Sequence, residues 1–240
     1  MPIVLRCFYQ QTWPDLELVI ICDGPERLDI PKDPRINYVH LDNKITTGAK
    51  RNLGARIATG DICAAGDDDD WQHPARIFDQ VQRLQKTGKA VTGYYDTVIF
   101  DEKTGNLHLQ KGGPPYYVSG TSQCYWKSWW EEHPFPDCCV GEDAVFGREA
   151  RIADQLAAAP IGKMMVIRCH DDNTESRNLT WTPRLKREDV SPQFFLDMET
   201  KLVNIGAFVL DCCAEEAEIQ FRAIVPDYKV TRPLPEIQTR

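Results

Sequence analysis

Four aspartates stand in a row in "GDICAAGDDDDWQHPARI", Asp67 to Asp70, after a small apolar run and ahead of a helix-like segment. Like charges this close raise one another's pKa. An Asp at a helix N-terminus accepts backbone N–H bonds and suits the helix dipole, so one or two of the four fit a cap or a solvated loop. Four in a row cannot all cap one helix. A hard divalent cation such as Mg2+ or Mn2+ takes carboxylate oxygens, keeps several waters and is usually completed by substrate phosphates. The run therefore reads either as a solvated helix entry or as a metal–diphosphate site.

The surrounding elements say where such a site would lie. "IVLRCFYQQ" has the pattern of a short amphipathic helix ending before Pro14. "LELVIIC" (Leu16 to Cys22) is an apolar strand closed by the turn signal "DGP", and "INYVHL" (Ile36 to Leu41) is a second strand. "TTGAKRNLGARIATG" reads as a helix with Thr46 or Thr47 near its N-cap and Gly60 past its end. "DICAAG" is a third, buried strand that stops at the aspartates. "HPARIFDQVQRLQKTG" is an amphipathic helix with Ile77, Phe78, Val81 and Leu84 in one stripe and Gly88 closing it. "AVTGYYDTVIF" reads as one further strand, followed by a hairpin turn at "DEKTGN". Strands separated by helices predict an α/β fold with a mostly parallel sheet flanked by helices. Ligands of such sheets collect at the carboxyl ends of strands. Asp23 and the aspartate run both follow strands, so one rim should carry both.

After Phe100 the pattern loosens. "GGPPYYVSGTSQCYWKSWWEEHPFPD" is too apolar for a disordered linker and reads as a loop-rich pocket wall. "GEDAVFGREARIADQLAAA" begins a helix with Glu142 and Asp143 in or near its first turn. "MMVIRCH" is a strand ending at His170. From Ser191 a helical appendage is expected, which divides the chain into residues 1–190 and 191–240. That tail would cover an acceptor site or mediate a homodimer.

Composition narrows the function class. The chain has 240 residues, a net charge of −8 and 27% charged residues, and it lacks the basic face that broad nucleic-acid binding needs. It contains no apolar run of the ~18 residues a membrane span requires, and no signal-peptide pattern, so a cytoplasmic location is the default. The nine cysteines include two adjacent pairs and no CxxC, which describes neither a disulfide framework nor a zinc site. Reduced, mostly buried thiols are expected.

Three stretches, "CFYQQTWPDLELVIICDGPE", "GAKRNLGARIATGDICAAGDDDDWQHPARI" and "GEDAVF", resemble family 2 glycosyltransferases of the GT-A fold. The family pattern is a helix with Q-T-Y/W-P, a strand ending in D-D-G, a helix beginning A-R-N-x-G, a strand ending in D-x-D-D, and a later E-D. The matches run in order from about Leu5 to Gly147, and more weakly to "RCHDDNT".

The resemblance implies an inverting, metal-dependent enzyme. It would move a sugar from a nucleotide-diphospho-sugar, UDP-linked by expectation, to a saccharide or lipid-linked saccharide acceptor. Asp67 and Asp69 match the D-x-D carboxylates that hold Mn2+ or Mg2+ against the donor, with Asp68 and Asp70 flanking. Asp23 matches the second acid of D-D-G in the nucleotide pocket, while Cys22 replaces the first, which leaves base recognition open. Lys50, Arg51 and Asn52 match A-R-N, with Arg51 placed for nucleotide or phosphate. Asp143 matches the general base, with Glu142 as the neighbouring candidate, and His170 matches a residue that approaches the metal or diphosphate.

The family also places a first strand ahead of the helix that opens this chain. The start at Met1-Pro2 is therefore expected to lack it, and a catalytically weak or inactive nucleotide-binding homologue is the alternative. A nucleotidyltransferase is a second alternative, although it would want a Gly-rich phosphate loop near the N-terminus.

Overall fold

The computed structural model describes residues 2–111, 117–160, 164–170 and 184–185, together with Val190 and Phe194. The chain opens on α1 (Pro2–Gln10), whose Ile3, Cys7 and Phe8 are buried at helical spacing. β1 (Leu18–Cys22) and β2 (Ile36–His40) then pair in parallel, from Leu18 opposite Ile36 to Cys22 opposite His40. α2 (Thr47–Ile57) is capped by Thr46, whose hydroxyl accepts the Ala49 N–H at 3.1 Å. Beyond it come β3 (Ile62–Ala64), the short β4 (Trp71–Gln72) and α3 (Arg76–Thr87). The expected stripe of Ile77, Phe78, Val81 and Leu84 is buried, and Gly88 ends the helix in the left-handed conformation at φ 64°.

The second half contains β5 (Val91–Tyr94), β6 (Thr97–Asp101), β7 (Asn106–Gln110), a 3-10 turn (Gly120–Ser122) and β8 (Cys124–Trp126). It continues through α4 (Lys127–Glu132), α5 (Glu142–Ile152), β9 (Leu156–Ala159), β10 (Met165–Cys169) and β11 (Arg184–Leu185). Among the described residues the strands form three sheets. β1 pairs with β2, four strands run in the order β3-β8-β5-β9, and five in the order β11-β7-β6-β10-β4.

The α/β expectation holds, with helices against the sheets, but several details differ. The sheets are mixed rather than mostly parallel: β1–β2, β5–β9 and β6–β10 are parallel, and the other pairs are antiparallel. "AVTGYYDTVIF" is two strands. β5 pairs with β8 and β9, the chain bends at Tyr95 and Asp96, and β6 enters the other sheet beside β10 and β7. β3 is a half-exposed edge strand rather than a buried one, because β8 is its one sheet neighbour among the described residues. The supposed loop wall supplies β8 and α4. "LAAA" has helical propensity, yet Asp154 at φ 57° ends the preceding helix and Leu156–Ala159 pairs with β5. The hairpin at 101–106 forms as expected, with Gly105 at φ 69°.

Two apolar clusters hold the layers. One joins Ile3, Cys7, Trp71, Tyr94, Val98 and Met165 to Phe194, whose ring meets Trp71 at 5.8 Å and Phe100 at 5.3 Å. The other gathers Ala55, Val91, Tyr125, Trp130, Phe135 and Phe146. Phe194 thus belongs to the core, and the rest of the expected appendage lies outside the described residues. Of the described cysteines, all free, Cys7 and Cys124 are buried and the others are half-buried or exposed, so the thiols are less uniformly buried than expected. No helix among the described residues is long and apolar enough to cross a membrane.

One carboxylate ties the β1–β2 pair to the α2–β3 connection. Glu17 Oε1 accepts from the Thr59 hydroxyl at 2.8 Å and from the Gly60 N–H at 3.0 Å, and Oε2 accepts from Asn37 at 3.2 Å. Burial pushes this carboxyl up, but the Thr59 and Gly60 hydrogen bonds outweigh it and the net shift is downward. A lowered folded pKa contributes stability above the unfolded value of ~4.3 and loses it as pH falls through the folded value. Glu17→Gln should therefore cost about 1 kcal/mol at pH 7 and flatten the acid side of a melting-temperature profile. Parallel acid limbs for the two proteins would contradict this.

Candidate active site

α2 aims three consecutive side chains at three different places, because successive residues turn by about 100° around a helix. Lys50 reaches the end of β1, where its Nζ lies 2.7 Å from Asp23 Oδ1, and Asp23 Oδ2 accepts the Ile45 N–H at 3.1 Å. Burial raises the Asp23 carboxyl, and the bonds from Lys50 and Ile45 more than reverse that, leaving it lowered and ionised. Arg51 points the other way. Its Nε donates to Glu142 Oε1 at 3.1 Å, and its guanidinium lies 3.6 Å from Asp67 Oδ1 and over the Phe135 ring. Asn52 faces a third direction: its amide donates to the Phe135 carbonyl at 2.8 Å and accepts from Trp130 Nε1 at 2.8 Å and the Phe135 N–H at 3.0 Å. Asn52 is thus occupied in holding the α4–α5 connection, away from Asp23 and the aspartates.

The aspartates occupy the turn between β3 and β4, and their environments separate them. Asp67 and Asp68 are exposed, Asp69 is half-buried and Asp70 is buried. Asp67 keeps 49% of its side-chain surface. Even so, crowding by protein atoms outweighs the pull of Arg51 and, with the like charges of Asp69, Asp68 and Asp143, raises its carboxyl. Asp69 Oδ2 meets His170 Nε2 at 2.8 Å, across 101 residues of sequence. Asp70 accepts from the Thr121 hydroxyl at 2.8 Å and from the Arg168 N–H at 3.1 Å. Burial, then the charges of Asp67 and Asp69, push it up to about 8. Asp70 is therefore an internal strut between the aspartate turn, the 3-10 turn and β10.

α5 presents the remaining pair. Gly141 precedes it in the left-handed conformation at φ 84°, which lets the chain enter the helix abruptly with Glu142 and Asp143 in the first turn. Glu142 is 4% exposed and held by Arg51, with its carboxyl raised chiefly by burial. Asp143 is half-buried and lies against Gly120. Arg51 thus brings Asp67 and Glu142 together, and Asp143 lies close enough for its charge to act on both Arg51 and Asp67. Among the described residues, no three His, Cys, Asp or Glu side chains form a ready-made metal cage.

Several supporting residues lay outside the expected set. Arg76, fully buried on α3, donates to the Ala65 carbonyl at 2.7 Å, the Thr121 carbonyl at 3.0 Å and Gln80 at 3.0 Å. Its signal was available, since Arg76 and Gln80 fall on the apolar stripe of α3 at i, i+4. Arg168 donates to the Asp69 carbonyl at 3.3 Å and pairs with Glu102. Thr121 and Gly120 gave no signal within their aromatic and glycine-rich stretch. Arg76→Met should cost about 2–4 kcal/mol, because it leaves the buried Thr121 carbonyl, the half-buried Ala65 carbonyl and the Gln80 amide without their donor. Urea unfolding at unchanged m-value checks this, and an unchanged midpoint would contradict it.

The sequence model of glycosyl transferase family 2 matches residues 2–145. The chain belongs to this family. The match takes in Asp23, α2, the aspartate turn and the start of α5. A relative, the glycosyltransferase GlyG of Streptococcus pneumoniae, is 28% identical over 123 residues, which is 48% of this chain and 38% of that protein. An uncharacterized glycosyltransferase of Methanocaldococcus jannaschii is 23% identical over 138 residues, or 54% of this chain and 47% of that one. The chain thus spans less than half the length of either relative. Among solved structures, residues 1–349 of S. aureus TarS in complex with UDP-GlcNAc superpose with a TM-score of 0.53 at 12% identity, over 70% of this chain and 54% of that one. Another structure of TarS residues 1–349 gives 0.51. This likeness establishes the GT-A fold of the family 2 chain.

Proposed function

We propose that this family 2 chain transfers a sugar from a nucleotide-diphospho-sugar to an acceptor hydroxyl with inversion at the sugar carbon. The observation that carries the reading is the cluster of Asp67, Asp69, His170, Glu142 and Asp143, from the β3–β4 turn, the end of β10 and α5, tied together by Arg51 and by the Asp69–His170 contact. TarS, of the same fold, has been seen with UDP-GlcNAc, which favours a UDP-sugar here. Asp23, fixed by Lys50, would face the nucleoside.

The donor set suits a divalent cation. Asp69 and His170 touch, and Asp67 carries a carboxyl raised by crowding that a nearby cation would relieve. Mg2+ and Mn2+ sites need only one or two protein carboxylates when substrate phosphates complete them, so the lack of a ready-made cage is consistent with this set. Asp67, Asp69 and His170 would hold the ion, which supplies Lewis-acid stabilisation of the leaving diphosphate. Arg51, held between Asp67 and Glu142, adds a fixed positive charge on the same side.

Asp143 is the better general base of the two first-turn acids. Glu142 is buried and engaged with Arg51, whereas Asp143 is half-buried and its Oδ1 accepts the adjacent Ala144 N–H at 2.7 Å. The base takes the acceptor hydroxyl proton as that oxygen attacks the sugar carbon opposite the departing nucleoside diphosphate. Free thiols and a nucleotide-sugar donor suit a cytoplasmic location. Calorimetry with UDP and Mn2+, followed by UDP release from UDP-GlcNAc and other nucleotide sugars, tests the reading. Binding without turnover across the panel would leave a nucleotide-binding homologue.

A further inference from the structure

The 3-10 turn touches both ends of the proposed site. Thr121 Oγ1 donates to Asp70 Oδ2 at 2.8 Å, which anchors the turn to the aspartate run. On the other side, Gly120 packs against Asp143. A Cβ built on Gly120 would lie 2.5 Å from both Cβ and Cγ of Asp143, and closer still to Oδ2. Two of those atoms are not the far end of a flexible chain, so a rotamer change alone does not make room.

Backbone conformation does not explain this glycine. The glycines with positive φ among the described residues are Gly88, Gly105 and Gly141. Alanine could adopt the Gly120 backbone, and what excludes it is space. The turn itself is held from several sides. Ser119 N–H donates to the Tyr94 carbonyl at 2.9 Å, and the Ser122 hydroxyl receives the Tyr94 N–H at 2.9 Å. Arg76 donates to the Thr121 carbonyl at 3.0 Å, and Gln80 donates to the Ser122 carbonyl at 2.5 Å. Just beyond the turn, Gln123 Nε2 donates to the Asp143 carbonyl at 2.9 Å. With the turn fixed to β5, α3 and Asp70, an added methyl group displaces Asp143 rather than the turn.

We propose that Gly120 is a positioning residue for Asp143. Its missing side chain is the seat of the carboxylate, and the turn fixes how far that carboxylate stands from the aspartate run. The inference rests on the reading of Asp143 as general base, and it adds the element that holds the base in place. Misplacing a reacting group by about 1 Å is enough to slow a reaction ~10²-fold.

The first test needs no ligand. Gly120→Ala is melted in the wild-type chain and in an Asp143→Gly background, which removes all three clashing atoms. A drop of several degrees is expected in the wild-type chain, with a clearly smaller drop in the second background. Equal drops would overturn the proposal. Should Gly120→Ala fail to fold alone, recovery of folding by Asp143→Gly supports the proposal, and failure in both backgrounds overturns it.

The second test is turnover. The probe is UDP-GlcNAc with Mn2+, or whichever of a UDP-, GDP- and dTDP-sugar panel the wild type hydrolyses. Gly120→Ala should lower kcat about 10²-fold with KM within twofold, and should add nothing to Asp143→Asn. A wild-type kcat in Gly120→Ala beside a slow Asp143→Asn would overturn the positioning role. A wild-type kcat in Asp143→Asn would overturn the base assignment itself, and is recognised because the melting coupling then persists without any effect on rate.

Discussion

Asp143→Asn is expected to bind nucleotide diphosphate normally, melt within a few degrees of the wild type, and lose transfer by ~10²–10⁴-fold, the usual range for removal of a general base. The substitution keeps the shape and removes the proton acceptor. A purely helical role predicts something different. Gly141, not Asp143, stands at the N-cap of α5, so the carboxylate serves the helix through its dipole, an effect of about 0.3–1 kcal/mol. A mutant that melts slightly earlier but turns over donor and acceptor at the wild-type rate would make Asp143 a helix residue and return Glu142 as the candidate. The measurement is UDP release from UDP-GlcNAc, first with water and then with a panel of sugars and lipid-linked sugars as acceptors.

The second large effect is expected at Asp69. Asp69→Ala should lower Mn2+-dependent affinity for UDP by more than ~100-fold, since even residues behind metal ligands are worth 10–100-fold. The fold should survive. Asp69 contributes a charge that raises both Asp67 and Asp70, so removing it relieves repulsion in the metal-free protein. Its loss also frees His170 from a 2.8 Å contact without opening the core. A melting temperature equal to or above that of the wild type is therefore predicted alongside the lost affinity. Chelation of the wild type should reproduce the binding defect. Equal UDP affinity in mutant and wild type, or indifference to chelator, would refute the metal assignment at this position.

Part of the layout was legible before any coordinates. Asp23 and the aspartate run do follow β1 and β3, because turn signals close both strands, and those are local features. A threonine cap at Thr46 or Thr47, Gly88 as a helix end and the buried stripe of α3 follow from the same short-range chemistry, within four residues of each position, and the fold selects Thr46. The family resemblance added Glu142 and Asp143, and the helix does begin there.

Tertiary structure decided what depends on distant partners. The sequence of Asp67 to Asp70 is uniform, yet Asp70 turns inward to Thr121 and Arg168, while Asp69 meets His170. Lys50, Arg51 and Asn52 read as one motif, but Asn52 is taken by Trp130 and Phe135. Residues 91–101 carry a continuous strand pattern, and the split into two sheets appears only once β8, β9 and β10 compete for their edges. Likewise "LAAA" becomes a strand because a vacant edge of β5 offers it hydrogen bonds that outweigh its helical propensity. Gly120 is the extreme case, since its role is set by an Asp143 side chain 23 positions away. Periodicity, capping and turn chemistry are properties of neighbouring residues and can be read along the chain. Burial, space and the choice among identical carboxylates are properties of contacts between distant segments, and only the folded chain determines them.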